Sequence, residues 1–388
     1  METNTFLEKL LQGAPVEWKT LGEILERAKG TKITAGQMKE LHQENAPIKI
    51  FAGGKTFALV NYGDIPNKDI HTKPSIIVKS RGIIEFEYYD KPFSHKNEMW
   101  SYHSENENID LKYVFYFLKS KEPYFQQIGS KMQMPQIATP DTDKFLIPIP
   151  PLSVQKEIAR ILDAFTAITS ELTSELTSEL TLRQKQYQHY RDQLLTFGDE
   201  VEWKTLGEIA EYAKTKIQAT ELHENNYVGV DNLLQNKMGK TTSNYVPDSG
   251  RFTQFIDNDI LIGNIRPYLK KIWYSDCIGG TNGDVLVIRR KDNRINPRYL
   301  YQVLSDDKFF AYNMKHAKGA KMPRGNKEAI LQYLIPIPSL EEQKRIAAIL
   351  DKFHTLTSSL SDGLPKEIEL RQKQYEYYRD LLLNFKQD

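Results

Sequence analysis

The sequence predicts an α/β (α+β) protein: two globular modules in a pseudo-twofold arrangement, separated by two long antiparallel helices. Three observations carry that expectation. "LRQKQYQHYRDQLLTF" from Leu182 and "LRQKQYEYYRDLLLNF" from Leu370 agree at twelve of sixteen positions across an offset of 188 residues. "VEWKTLGEI" recurs at Val16 and Val201, "IPIPPL" at Ile147 matches "IPIPSL" at Ile335, and "IARILDAF" at Ile158 matches "IAAILDKF" at Ile346. The stretches between these motifs barely resemble one another. Internal repeats of this kind decide architecture, and here the boundaries and helices are fixed while the middles vary.

In chain order, residues 1–15 form an N-terminal helical segment, because "FLEKLLQGAPVEW" compares with "RDQLLTFGDEVEW" from Arg191. Residues 16–151 form the first module and 201–338 the second. Each ends on a proline hinge, Pro148, Pro150 and Pro151 or Pro336 and Pro338, which removes backbone donors and forces extended geometry. Ser153 and Ser339 stand where helix N-caps are useful. Helices should follow over 152–199 and 339–388.

The helical stripe runs through Phe165, Ile168, Leu172, Leu176, Leu180, Arg183, Tyr187, Tyr190 and Leu194. Its counterpart runs through Phe353, Leu356, Leu360, Leu364, Ile368, Arg371, Tyr375, Tyr378 and Leu382. The steps of three and four average about 3.6, the period of a straight α-helix. The two arginines should snorkel or meet an acidic partner. Matching stripes in one chain most simply pack on each other. Residues 169–180 are three "TSEL" tetrapeptides whose leucines continue the stripe, so this low-complexity segment reads as a helical spacer rather than as disorder. Gly363 and Pro365 should interrupt the second helix.

The chain has 388 residues, 40 % of them hydrophobic and 27 % charged, the composition of a soluble globular protein with room for several cores. No apolar run approaches a membrane span and no secretory leader is evident, so no membrane partner is expected. A single cysteine, Cys277, fits a cytoplasmic location. The net charge of +1 is uninformative, but residues 201–338 hold 20 Lys/Arg against 15 Asp/Glu.

Catalytic motifs are missing. "GGKT" from Gly53 lacks the leading glycine of a phosphate loop, since position 49 is Lys49. "NPRY" from Asn296 has no glycine-rich companion and reads as a helix start, Asn296 capping and Pro297 in the first turn. The histidines show no metal-ligand spacing. No cofactor is expected on this chain.

The repeated "IPIPPLSVQKEIARILDAFTAIT" and "IPIPSLEEQKRIAAILDKFHTLT", with "GLPKEIELRQKQYEYYRD", the doubled "EWKTLGEI" and the tetrapeptide array, resemble the specificity (S) subunits of type I restriction–modification systems over nearly the whole chain. That resemblance implies two target recognition domains, each reading one half of an asymmetric bipartite site in double-stranded DNA. It implies conserved helices that pack antiparallel, set the spacer and dock two methyltransferase (M) subunits, with motor-nuclease (R) subunits completing the complex. It also implies a non-catalytic subunit, the adenine-N6 methylation and ATP-dependent cleavage belonging to the partners. A helical scaffold tethering two proteins without sequence-specific DNA binding is the alternative.

Base reading needs Arg, Lys, Asn and Gln on loops, with further contacts to phosphates. In the first module Lys79, Ser80, Arg81, Lys96 and Asn97 qualify, with Gly82 permitting close backbone approach, as do Lys131, Gln133 and Gln136. In the second, Asn264, Arg266, Lys270, Lys271, Thr281 and Asn282 qualify, with Lys318, Lys321, Arg324 and Asn326. The loops beginning at Gly129 and Gly319 precede the two hinges at similar places and should have equivalent roles. Leu172, Leu176, Leu180, Leu360, Leu364 and Ile368 form the spacer part of the helices.

Overall fold

The computed structural model describes residues 5–130, 134–358 and 363–386. The chain forms two compact units, residues 1–173 with 370–388, and residues 174–369. One helix, Leu152–Leu194, passes from the first unit into the second.

The strands of the first unit are β1 (Glu17–Thr20), β2 (Glu26–Lys29), β3 (Ile48–Phe51), β4 (Phe57–Val60), β5 (Ser75–Lys79), β6 (Glu85–Tyr89), β7 (Phe93–His95), β8 (Trp100–His103) and β9 (Leu146–Ile149). They make an antiparallel sheet in the order β2-β8-β5-β6, a smaller sheet β4-β3-β7 whose β3–β7 pairing is parallel, and the ladder β1-β9. Ile76, Val78, Phe86 and Tyr102 pack beneath the larger sheet with Tyr113 and Phe117 of the helix Leu111–Ser120. Val154, Ile158 and Leu162 of the central helix join the same core, and so do Leu7, Leu382 and Leu383. The smaller sheet has its own core around Ile48, Ile50 and Val60.

The second unit holds β10 (Glu202–Thr205), β11 (Ala210–Tyr212), β12 (Lys216–Gln218), β13 (Arg251–Phe255), β14 (Ile260–Gly263), β15 (Ile272–Tyr274), β16 (Gly279–Thr281), β17 (Val285–Arg290) and β18 (Leu334–Ile337). Its larger sheet, β11-β17-β14-β15, repeats the topology of the first, and its ladder β10-β18 repeats β1-β9. Its smaller sheet, β12-β13-β16, is wholly antiparallel and differs from that of the first unit. The unlike sequences therefore fold alike next to the helices and unlike at the smaller sheet.

The recurring motifs make recurring bonds. Trp18 pairs with Pro148 and Trp203 with Pro336, in the same register. Gln155, fully buried, accepts from the Asp110 amide at 2.9 Å and donates to the Asn108 and Pro150 carbonyls at 3.1 and 2.8 Å. Gln343 accepts from Asn296 at 2.8 Å and donates to Arg294 and Pro338 at 2.9 and 2.8 Å. One side chain thus ties the hinge, the helix and the module together. Replacing Gln343 by Ala strands three partly buried backbone groups and is expected to cost about 1–3 kcal/mol, read as a lower unfolding midpoint.

Within the first unit the central helix meets Leu364–Leu383 in antiparallel fashion. Phe165 lies against Tyr378 at 5.7 Å between rings, and Thr166 donates to the Tyr375 hydroxyl at 3.1 Å. Within the second unit Tyr187 and Tyr190 stack on Phe353, at 6.1 and 5.4 Å. The stripe arginines find partners on their own helices: Arg183 bonds Glu179 at 2.7 Å and Gln186 at 2.9 Å, and Arg371 bonds Gln374 at 3.2 Å.

Ser339 caps Leu340–Ser358, accepting from the Glu342 amide at 3.2 Å. Ser153 does not cap: the central helix begins at Leu152, and the Pro151 carbonyl accepts from Val154 and Gln155. Pro151 occupies the place of Ser339 in the repeat, so the boundary falls two residues earlier than the serine suggested. The "TSEL" array lies inside the continuous central helix. Its counterpart is interrupted, because one helix ends at Ser358 and the next starts at Leu364, after Gly363 at φ +142°. Leu360 lies outside the described residues. Leu172 is 37 % exposed, Leu176, Leu180, Leu364 and Ile368 are half-buried, so the spacer leucines are only partly covered.

Candidate nucleic-acid interface

In the first unit, the turn after β5 and the loop after the helix Glu122–Gly129 are laced together. Ile137 donates to the Ser80 carbonyl at 3.0 Å, Gly82 to Pro135 at 2.9 Å and Gln136 to Gly129 at 3.1 Å. In the second unit, Gly325 donates to Asn264 at 3.0 Å, Arg266 to Pro323 at 2.7 Å and Arg324 to Lys318 at 2.9 Å. The same three-point lacing thus recurs, and it superposes Met134-Pro135-Gln136 on Met322-Pro323-Arg324. The residue donating to the proline carbonyl is left-handed in both units, Gly82 at φ +76° and Arg266 at φ +52°. Gly82 suits that conformation without strain, whereas a left-handed arginine is uncommon.

This lacing decides which candidates face solvent. Arg81 and Asn97 are exposed in the first unit, and Gln136 is half-buried within the lacing. In the second, Arg266, Lys318, Lys321 and Arg324 are exposed around one loop, with Asp284 meeting Arg324 at 3.3 Å. Among the described residues, four cations against one carboxylate make this the more basic of the two loops, and such a cluster suits a polyanion.

Other candidates are engaged internally. Lys79 is 7 % exposed and lies between Glu87 at 2.9 Å and Glu85 at 3.3 Å. Burial alone would lower the pKa of its ammonium, but hydrogen bonds and charge from the two glutamates outweigh it and raise the value. Lys96 meets Glu98 at 2.6 Å, Lys270 meets Asp307 at 3.0 Å, and Lys271 donates to the Val230 carbonyl at 2.7 Å. Asn264 is buried, Thr281 donates to the Val228 carbonyl, and Asn282 accepts from the Asp284 amide at 3.1 Å. Asn326 caps the helix Lys327–Leu331, accepting from Glu328 and Ala329. Asn296 likewise caps Pro297–Leu304, accepting from Tyr299 at 3.0 Å. Lys131 and Gln133 lie outside the described residues.

The first unit also has a cleft of about 780 Å³ between its helix Ala35–Leu41 and the β5–β6 and β7–β8 turns. Arg81, Gly82 and Lys96 line it, together with Lys39, His42 and Met134, which the sequence reading did not single out. Met134 and Met322 are 63 % and 48 % exposed at equivalent places. The paired "MP" dipeptides, each starting thirteen residues before its "IPIP" hinge, were the available signal.

The family described as Type I restriction modification DNA specificity domain matches residues 15–182 and again 198–370. The specificity subunit of the type I restriction enzyme EcoR124I/EcoR124II from Escherichia coli is 36 % identical over 411 residues, covering 99 % of this chain and 98 % of that one. The EcoprrI specificity subunit, also from Escherichia coli, is 29 % identical over 93 % of each chain. A solved S subunit from M. genitalium shares the fold with a TM-score of 0.54 at 18 % identity, over 95 % of each chain. Two matches of one family, in tandem and coincident with the two copies of the repeat, leave one assignment: this chain belongs to the type I restriction–modification DNA specificity family.

Proposed function

We propose that the chain is the DNA-reading subunit of a type I restriction–modification complex, each unit reading one half of a bipartite asymmetric site. The observation that carries this is the division of likeness between the two copies. The ladder register, the larger-sheet topology and the hinge-glutamine bonds recur, and the helix motifs recur in sequence, while the smaller sheets and loop side chains differ. A scaffold for two copies of one partner needs only the recurring part. Two unlike readers explain the rest, which disfavours the tethering alternative.

The helices support docking of methyltransferase subunits. The first unit exposes Ile168, Leu370 and Tyr378, and the second exposes their repeat equivalents Leu356, Leu182 and Tyr190. Scattered exposed apolar residues are ordinary, but the same three at equivalent places imply the same demand twice. Two methyltransferase copies and motor-nuclease subunits complete the complex in this reading, and the chain itself performs no chemistry.

The experiment is genome-wide mapping of adenine methylation with and without the gene. A bipartite motif that disappears with the gene is the expected result, and unchanged methylation would refute the reading. The basic loop gives a second test. Lys318→Ala should weaken binding to all DNA sequences alike and reduce the slope of log affinity against log salt by about 1, because a lysine on a phosphate releases counterions without reading bases.

A further inference from the structure

The repeat also sorts the grooves of the molecule. In the first unit a groove of about 540 Å³ lies where the β1–β9 ladder meets the chain end, walled by Trp18, Phe145, Leu146, Leu383 and Phe385. In the second unit a groove of about 310 Å³ is walled by Trp203, Tyr333, Leu334, Leu195 and Phe197. These are the same five places in the two copies: the tryptophan of "VEWK", the two residues entering the hinge strand, and the leucine and phenylalanine closing the repeated helix. Neither groove touches the laced loops or the cleft between the β5–β6 and β7–β8 turns.

The walls are more open than a folding role requires. Trp203 is 43 % exposed, and Leu146 and Leu334, each first in its hinge strand, are 39 % and 54 % exposed. A leucine needed only for the ladder could be any residue there, since its backbone makes the pairing with Thr20 or Thr205. The retention of a large apolar side chain at both open positions calls for a cover. Lysines stand on both rims, Lys121 and Lys144 in the first unit and Lys308 in the second; the carboxylates that also line the grooves are engaged, Asp141 accepting from the Ala138 amide and the buried Asp306 facing Arg191. The first groove shares Lys121 and Leu383 with a shallower depression that reaches Tyr377, 57 % exposed, on the C-terminal helix. The Tyr377 ring lies 5.5 Å from that of Tyr378, one of the residues assigned above to the methyltransferase surface.

From this duplication we infer that each groove seats one apolar anchor, flanked by a carboxylate, from one of two identical methyltransferase subunits. The inference rests on the DNA-reading assignment for the identity of the partner, and adds a second point of attachment beside the helices. Two like grooves, one per unit, fix the stoichiometry at one partner copy for each. An anchor in a tryptophan-walled groove is the kind of contact that dominates an interface.

The test is native mass spectrometry and binding titration of the full chain with the purified methyltransferase subunit of the same system. The wild-type chain should carry two copies. Leu334→Glu should weaken one copy at least about tenfold, Leu146→Glu the other, and the double variant both. Trp203→Ala repeats the test without introducing charge, and unfolding midpoints equal to wild type show that each variant folds. Tyr245→Glu, at a side chain 73 % exposed and outside the lining of either groove, should leave both copies bound. Retention of two copies at wild-type affinity by the Leu146→Glu/Leu334→Glu double variant overturns the inference. If Leu182→Glu on the helix releases a copy while the groove variants do not, only the groove assignment fails. A wild-type chain that binds no copy overturns it together with the reading on which it rests.

Discussion

Deleting one "TSEL" unit from the central helix should shorten the unspecified spacer of the methylated site by one or two base pairs and leave both half-sites unchanged. The array occupies residues 169–180 within an uninterrupted helix, Leu152–Leu194. Four residues contribute about 6 Å of helix and about 40° beyond one full turn. Successive base pairs rise about 3.4 Å, so the loss corresponds to fewer than two of them. Because the unit is nearly one turn, the remaining leucines keep their face, and the deletion changes length with little change of contacts. Leu172, the half-buried Leu176 and Leu180 are interchangeable under such a shift, and the exposed Glu171 and Glu175 replace one another without losing a bonded partner. In the second copy one helix ends at Ser358 and the next begins at Leu364. Methylation mapping of the deletion strain reads the outcome directly. A changed half-site sequence over the original spacer would contradict the spacer role.

The scaffold was legible in the sequence and the reading surface was not, for one physical reason. Repetition reveals demands made twice. The ladders, hinges and helices answer such demands, so Trp18 with Trp203 and Gln155 with Gln343 announced themselves as pairs. Recognition residues answer demands made once, and composition alone could not separate an exposed cation from a lysine paired with two glutamates. Lys79 and Arg81 are two residues apart in sequence, yet the first is sealed by Glu85 and Glu87 and the second is exposed. Lys270 and Lys271 were engaged in the same manner, by Asp307 and by the Val230 carbonyl, both distant in sequence. The lacing of the loops was foreshadowed by their place before the hinges, but its register needed backbone bonds to fix Gln136 against Arg324. Ser153 misled because Pro151, two residues earlier, took over the start of the helix.

Arg191 was missed altogether, and its removal should be the most destabilising single change in the second unit. Its side chain is 2 % exposed at the end of the central helix, where the repeated "YRD" gave no hint of burial. The guanidinium donates to the Tyr187 hydroxyl, to the Gln302 side chain at 3.1 Å and to the Gln302 carbonyl, and lies 3.4 Å from the Asp306 carboxylate. Asp306 is itself 4 % exposed and caps the helix Asp307–Lys315 by accepting from Lys308. Arg191→Ala would leave a buried carboxylate without its cation and a buried carbonyl without its donor. Breaking a buried pair in this way costs about 3–5 kcal/mol. For a unit of this size that corresponds to a fall of roughly 10 °C in unfolding midpoint. Arg191→Lys keeps the charge but loses the planar fork, so it should recover only part of the loss. Joint replacement, Arg191→Met with Asp306→Leu, removes the uncompensated charge and should unfold well above Arg191→Ala. The equivalent Arg379 makes a useful contrast. Its partner Asp380 is 60 % exposed, and Ser120 stands where the second unit has Asp306, so Arg379→Ala should cost distinctly less. Equal losses at the two arginines would show that packing of the stems, and not the buried pair, holds the central helix to its module.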